Sequence, residues 1–238
     1  MNLLLMSNSR SPDGGYLTHA STAIREIASG RTRAVFVPYA GVTISWDDYV
    51  TKVQGAFALL GIGIDSVHQA PDPVAMIDKA ELIIVGGGNT FNLLKCCRDA
   101  SLLPAIAERV RAGTPYIGWS AGANLAGPTI CTTNDMPIVD PGGFTALGLV
   151  PFQINPHYTN ALPAGHQGET RDERIAEYLM ANPGQRVLGL PEGDWLRVTA
   201  SEVALHGVAP AVLFDAGQSP RQLPSPSRLS PSGCSTCM

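Results

Sequence analysis

Residues 116–122 read Tyr-Ile-Gly-Trp-Ser-Ala-Gly, which sets Ser120 in a G-x-S-x-G pattern directly behind a short apolar run. A serine hydroxyl is a weak nucleophile. It becomes useful when a tight strand-to-helix turn lifts it clear of the backbone, a base takes its proton and donors face the oxyanion. Gly118 and Gly122 suit such a turn, where backbone meets backbone with no room for a Cβ. The pentapeptide alone is common in loops, so its meaning depends on what else the chain carries.

A second element is Val85-Gly86-Gly87-Gly88-Asn89-Thr90, which follows a strongly apolar stretch and precedes a helical pattern. Its glycines free backbone N–H groups, and in a sheet-based site the N–H of Gly88 and that of Ala121 are the candidate oxyanion donors. The loop is neither G-x-G-x-x-G nor a Gly-Lys-Ser/Thr phosphate cradle, which argues against a nucleotide site.

The general base must come from His19, His68, His157, His166 or His206. His157 closes Gln153-Ile154-Asn155-Pro156-His157. Proline biases Asn155 away from helix, so the imidazole falls at the end of an extended run. Two carboxylates compete to orient it: Glu192, in Leu190-Pro191-Glu192-Gly193, and Asp135, in a polar loop 15 residues beyond the serine. A position at a strand end favours Glu192. Asp135 is then left to hold a substrate ammonium group or to organise the pocket. The bland alternatives are a solvated strand end for Glu192 and a turn residue for Asp135.

The elements that must position these groups alternate along the chain. Residues 3–6, 34–37, 62–67, 82–85 and 116–117 read as strands, and helix-period segments separate them. In 46–60, Trp46, Tyr49, Val50, Val53, Phe57 and Leu60 recur at three- and four-residue steps. This predicts an α/β fold with a doubly wound, mostly parallel sheet and ligand groups at the carboxyl ends of its strands. Beyond residue 186, short runs at 187–190, 195–199, 203–205 and 211–214 predict a terminal parallel strand and antiparallel hairpins. Residues 1–216 are expected to form one domain. Residues 217–238, rich in Ser and Pro and free of acidic groups, are expected to be a disordered tail. Its Cys234-Ser-Thr-Cys237 lacks the helix that would activate a thiol pair.

Over 238 residues the formal charge is −4 and charged residues make up 15%, with no long basic run, which argues against a nucleic-acid partner. No apolar run of membrane-spanning length is present. The five cysteines do not form a spaced disulfide framework. A cytoplasmic location and a small-molecule substrate follow as expectations.

From residue 2 to about 215 the chain resembles peptidase E, the α-aspartyl dipeptidase family of serine peptidases. The motifs that carry the resemblance are residues 35–42 (Val-Phe-Val-Pro-Tyr-Ala-Gly-Val), 84–91 (Ile-Val-Gly-Gly-Gly-Asn-Thr-Phe), 117–124 (Ile-Gly-Trp-Ser-Ala-Gly-Ala-Asn), 133–139 (Thr-Asn-Asp-Met-Pro-Ile-Val) and 153–157. The resemblance implies a fold like the class I glutamine amidotransferases, with flavodoxin-like topology and serine in place of their cysteine. It implies hydrolysis of Asp-X dipeptides, Ser120 as nucleophile, His157 as base, no cofactor or metal, and a homodimer. For the third catalytic member the family has been read both ways, toward the position of Asp135 and toward that of Glu192. The tail from Gly217 departs from the family's short charged end.

Selectivity for aspartate finds a physical reading in Gly168-Glu169-Thr170-Arg171-Asp172-Glu173-Arg174. Thr170 and Glu173 make a capping box that starts a helix, with Arg171 in its first turn. Arg171 there could grip a carboxylate bidentately, and with Asn89 it is an expected substrate contact. An exposed arginine paired with Glu169 or Glu173 is the plain alternative. Glycines at 165, 168 and 184 suggest a segment that closes on substrate. Two other functions compete: hydrolysis of a different aspartyl substrate, such as a cyanophycin-type polymer, and ligand binding without turnover.

Overall fold

The computed structural model describes residues 1–165 and 167–229. His166, Cys234 and Cys237 lie outside them. The chain runs β1 (Leu3–Met6), α1 (Ser21–Ile27), β2 (Arg33–Val37), α2 (Trp46–Ala58), β3 (Gly63–Ser66), α3 (Pro73–Asp78) and β4 (Ile83–Val85). It continues through α4 (Thr90–Asp99), α5 (Leu102–Arg111), β5 (Tyr116–Trp119) and the single turn α6 (Ala121–Asn124). There follow β6 (Gln153–Pro156), α7 (Arg171–Ala181), β7 (Arg186–Leu190), β8 (Trp195–Val198), β9 (Val203–His206), β10 (Ala211–Asp215), β11 (Arg221–Leu223) and β12 (Ser227–Leu229).

Eight strands form one sheet in the order β12-β9-β8-β1-β5-β4-β2-β3. The half from β3 to β1 is parallel throughout. These strands are nearly continuous apolar runs because helices cover both faces, and both pleat directions must be apolar. Leu3, Leu5, Val35, Val37 and Val85 point to the face covered by α3 to α6. Leu4, Met6, Phe36, Ile84 and Trp119 point to the face covered by α1 and α2. The apolar stripe of α2 behaves as its spacing predicts, with Tyr49, Val50, Val53 and Phe57 buried. Ser45 caps that helix by accepting the N–H of Asp48 at 3.1 Å.

Two expectations are corrected. The run at 187–190 does not end the large sheet: β7 belongs to a separate four-stranded sheet, β11-β10-β7-β6, in which β6 and β7 are parallel. Apolar alternation identifies a strand but not its partner. Here Ile154, Leu188, Leu190 and Leu213 send one face of the small sheet into the main core, while α7 covers the other through Ile175 and Leu179. The tail is not without structure as far as residue 229. β11 pairs with β10 and β12 with β9, burying Leu223 and Leu229 at the two sheet edges. The prolines of this segment, Pro220, Pro224 and Pro226, lie outside both short strands and interrupt neither ladder.

Candidate active site

Five groups sit just past the carboxyl ends of strands. Ser120 follows β5, the glycine loop follows β4, Ser7 and Asn8 follow β1, His157 follows β6 and Glu192 comes two residues after β7. Because β4 and β5 are adjacent and the small sheet abuts the large one, these ends converge.

Ser120 occupies an unusual backbone state, φ 52° and ψ −114°, between β5 and α6. For a residue with a Cβ this costs about 1–3 kcal/mol, so the surroundings must hold it. Its N–H donates to the Met6 carbonyl at 3.0 Å, and its own carbonyl accepts from Ala123 and Asn124. The close approaches expected of the elbow are present: a Cβ on Gly118 would lie 2.5 Å from the Gly122 carbonyl oxygen, and one on Gly122 would lie 2.2 Å from that of Val85.

His157 Nε2 lies 2.8 Å from Ser120 Oγ, and Nδ1 lies 2.7 Å from Glu192 Oε1. His157 also has a positive φ, 53°. Its N–H donates at 2.8 Å to Ser7 Oγ, and the Ser7 hydroxyl donates to the Leu190 carbonyl at 2.8 Å. Glu192 stands in a tight turn in which the Asp194 N–H donates to the Pro191 carbonyl and the Gly193 N–H to Asn8 Oδ1. The carboxylate is well exposed, at 65% of its side chain, so water screens its pull on the imidazole.

Asp135 is placed elsewhere. Its Oδ2 accepts from the Thr90 N–H at 2.7 Å, from Thr90 Oγ1 at 2.6 Å and from Thr133 Oγ1 at 3.0 Å. It thereby ties the 132–136 loop to the first turn of α4, where a carboxylate also suits the helix dipole. Asn89 is the N-cap of that helix. Its Oδ1 accepts the Asn92 N–H and its Nδ2 donates to the Met136 carbonyl, while the residue also lines the cleft.

The glycine loop presses on the elbow, since a Cβ on Gly87 would come within 2.9 Å of Ser120 Cβ. Gly88 has φ 139°, and a Cβ there would lie 2.1 Å from the Ala40 carbonyl oxygen. Tyr49 braces the loop: its hydroxyl donates to the Gly87 carbonyl at 3.0 Å and accepts from Trp119 Nε1 at 3.1 Å. Among the described residues the N–H groups of Gly88 and Ala121 donate to no backbone carbonyl outside the regular elements, and Ala121 is the first residue of its helix. Ser120, His157, Gly87 and Gly88 line one cleft of about 570 Å³.

Arg171 opens α7 behind the expected capping box, in which Glu173 Oε2 accepts the Thr170 N–H at 2.7 Å. Its guanidinium donates to Asn155 Oδ1 at 3.4 Å and pairs with neither Glu169 nor Glu173. Burial, and then the nearby charge of Arg174, lower its pKa, though an arginine remains cationic. It lines a depression with Asp135 and Asn155, distinct from the cleft of Ser120 and His157. The structure thus brings Ser120, His157 and Glu192 into one chain of contacts and leaves Asp135 and Arg171 outside it, in the neighbouring depression with Asn155. Ser7 and Tyr49 escaped the sequence reading. Ser7 carries no motif, and Tyr49 falls on the apolar stripe of a helix, where it reads as core.

A nucleophile, a base and an orienting carboxylate in this order can perform acyl transfer. Residues 3–206 match the model of peptidase family S51. The chain is 55% identical over 218 residues to peptidase E of Escherichia coli strain SMS-3-5, covering 92% of this chain and 95% of that one. Two crystal structures share the fold. A candidate peptidase E protein from Listeria monocytogenes EGD-e has TM-score 0.66 at 24% identity, covering 87% of this chain and 98% of its own. A peptidase from an acI-B1 Actinobacterium has TM-score 0.69 at 18% identity, covering 96% of each chain.

Proposed function

Because the chain belongs to peptidase family S51 and is therefore a hydrolase of peptide bonds, we propose that it is a serine dipeptidase that releases N-terminal aspartate from Asp-X dipeptides. Ser120 Oγ attacks the carbonyl carbon of the aspartyl residue as its proton passes to His157 Nε2. Glu192 holds the Nδ1 proton, fixing the tautomer and stabilising the imidazolium. The N–H groups of Gly88 and Ala121 receive the oxyanion. The C–N bond then breaks, the departing amine takes the proton from Nε2, and the aspartyl group is left as an ester on Ser120. Water, deprotonated by the same imidazole, cleaves that ester and restores the hydroxyl.

The observation that carries this reading is the 2.8 Å contact between Ser120 Oγ and His157 Nε2 at a strained elbow. Arg171 is the group that recognises the aspartyl side chain, with Asn89 contributing from the cleft. The exposed residues 159–165 and 167–169, next to α7, close the site on substrate. A fold like that of the class I glutamine amidotransferases, a homodimer and a cytoplasmic location belong to the same reading. Among the described residues no helix is long and apolar enough to cross a membrane.

The test is hydrolysis of Asp-Leu, Glu-Leu and Ala-Leu by the wild-type protein and by Ser120→Ala. The expected outcome is rapid cleavage of Asp-Leu alone and its loss in the variant. Turnover retained by Ser120→Ala would remove the mechanism.

A further inference from the structure

One cation in the cleft has no part in the chemistry above. Lys52, on α2, lines the same cavity as Ser120 and His157, and among the described residues the rest of that lining contains no Lys, Arg, Asp or Glu. Its ammonium lies 4.4 Å from the centroid of the Tyr16 ring. That ring in turn meets Trp119, the residue before the nucleophile, edge to face at 6.1 Å. No carboxylate pairs with Lys52 among the described residues. An aromatic face holds an ammonium in place without neutralising it. The helix that carries Lys52 is fixed relative to the site, because Tyr49, one turn earlier, bonds the Gly87 carbonyl. Residues three apart on a helix lie on the same side.

The same cavity is also lined by Val42, Ile44 and Ile138, which give its wall an apolar part. A cation without a carboxylate partner in a cleft with aliphatic wall residues suits a ligand with a hydrophobic body and a terminal anion. Arg171 stands apart from this cavity, in the depression beside Asp135 and Asn155. The two cations line separate hollows.

We propose that Lys52 binds the free C-terminal carboxylate of the leaving residue, so that the cleft selects dipeptides bearing a terminal anion. This rests on the peptidase reading above and extends it from the acyl group to the leaving group. An exposed ammonium and a carboxylate make a charge-assisted contact weakened by water, worth roughly tenfold in selectivity.

The experiment compares kcat/KM for Asp-Leu and for Asp-leucinamide, in which the carboxylate is replaced by a neutral amide, in wild type, Lys52→Met and Lys52→Arg. Wild type is expected to prefer the acid by about tenfold or more. Lys52→Met should bring the ratio near one, and Lys52→Arg should restore most of it. Since Lys52 is exposed, the Met variant should fold as wild type does, which thermal unfolding checks. A ratio unchanged by Lys52→Met, or equal losses on both substrates, overturns the proposal while leaving the Asp-X reading standing. Failure of the wild-type protein to cleave either substrate overturns both.

Discussion

Ser120 and His157, whose side chains meet at 2.8 Å, share a backbone peculiarity: both are non-glycine residues at positive φ, 52° and 53°. Neither torsion is comfortable for a residue with a Cβ. Each is held by its neighbours, Ser120 through Met6 and α6, His157 through Ser7. Strain of this kind persists where the surrounding structure over-determines it.

The strain at the elbow is measurable without activity. Ser120→Ala and Ser120→Gly both lack the hydroxyl, but only alanine keeps a Cβ at positive φ. After allowing for the greater chain entropy of glycine when unfolded, the Gly variant should be the more stable by about 1 kcal/mol. Urea unfolding of the pair reads this difference, and equal midpoints would show an unstrained turn.

The two carboxylates that sequence left in competition separate by mutation. Glu192→Gln keeps the shape but lets the amide present the wrong group to Nδ1. Because Glu192 is largely exposed, the fall in kcat should be about 10- to 100-fold, short of the loss seen for a buried orienting carboxylate. Asp135→Asn instead weakens the tie to Thr90 and Thr133. It should lower stability and raise KM while leaving the pH profile of kcat in place. Steady-state kinetics across pH with a thermal melt distinguishes them. A larger kcat loss in Asp135→Asn would return the third role to Asp135.

These outcomes bear on what the residues alone could tell. The elbow was legible because Gly118 and Gly122 are demanded by backbone contact, and His157 because its proline-bounded strand end leaves few other placements. A strand-end position favoured Glu192 over Asp135, but spacing alone left both within reach of a site. Only the donors around Asp135 show it to be spoken for. The second sheet was illegible for a different reason: 153–156 and 187–190 each look like buried strands, and their mutual pairing is a long-range choice that no local pattern encodes. Leu223 and Leu229 were hidden by the Ser- and Pro-rich composition around them, although their burial is what fastens the tail.

Ser7 links the two sheets at the base of His157, and its hydroxyl is fully buried with both roles used, donor to Leu190 and acceptor from His157. Ser7→Ala leaves a backbone N–H and a carbonyl without that partner, at a cost of about 1–3 kcal/mol. The imidazole should also lose its set position, so kcat should fall more than KM rises. Chemical denaturation and Asp-Leu kinetics on one preparation check both. A variant with wild-type kcat would show that the His157 backbone is held without Ser7.

Asp194 gives a pH dependence with a definite sign. It is fully buried two residues beyond Glu192, and its Oδ1 accepts the N–H groups of Val208 and Ala209, at 2.8 and 3.2 Å. Oδ2 is buried with no hydrogen-bond partner among the described residues. Burial raises the pKa above its ordinary 3.8, outweighing the two N–H donors that pull it down. The fold thus favours the protonated form. The corresponding stability is fully present below the unfolded pKa, is lost as pH rises through the folded one, and stays constant beyond it. Asp194→Asn keeps an acceptor for both N–H groups and does not titrate. Urea unfolding of both proteins between pH 4 and 7 should therefore show wild type losing ground to the variant as pH rises, then a plateau. A difference independent of pH would mean that the carboxylate ionises in place without penalty.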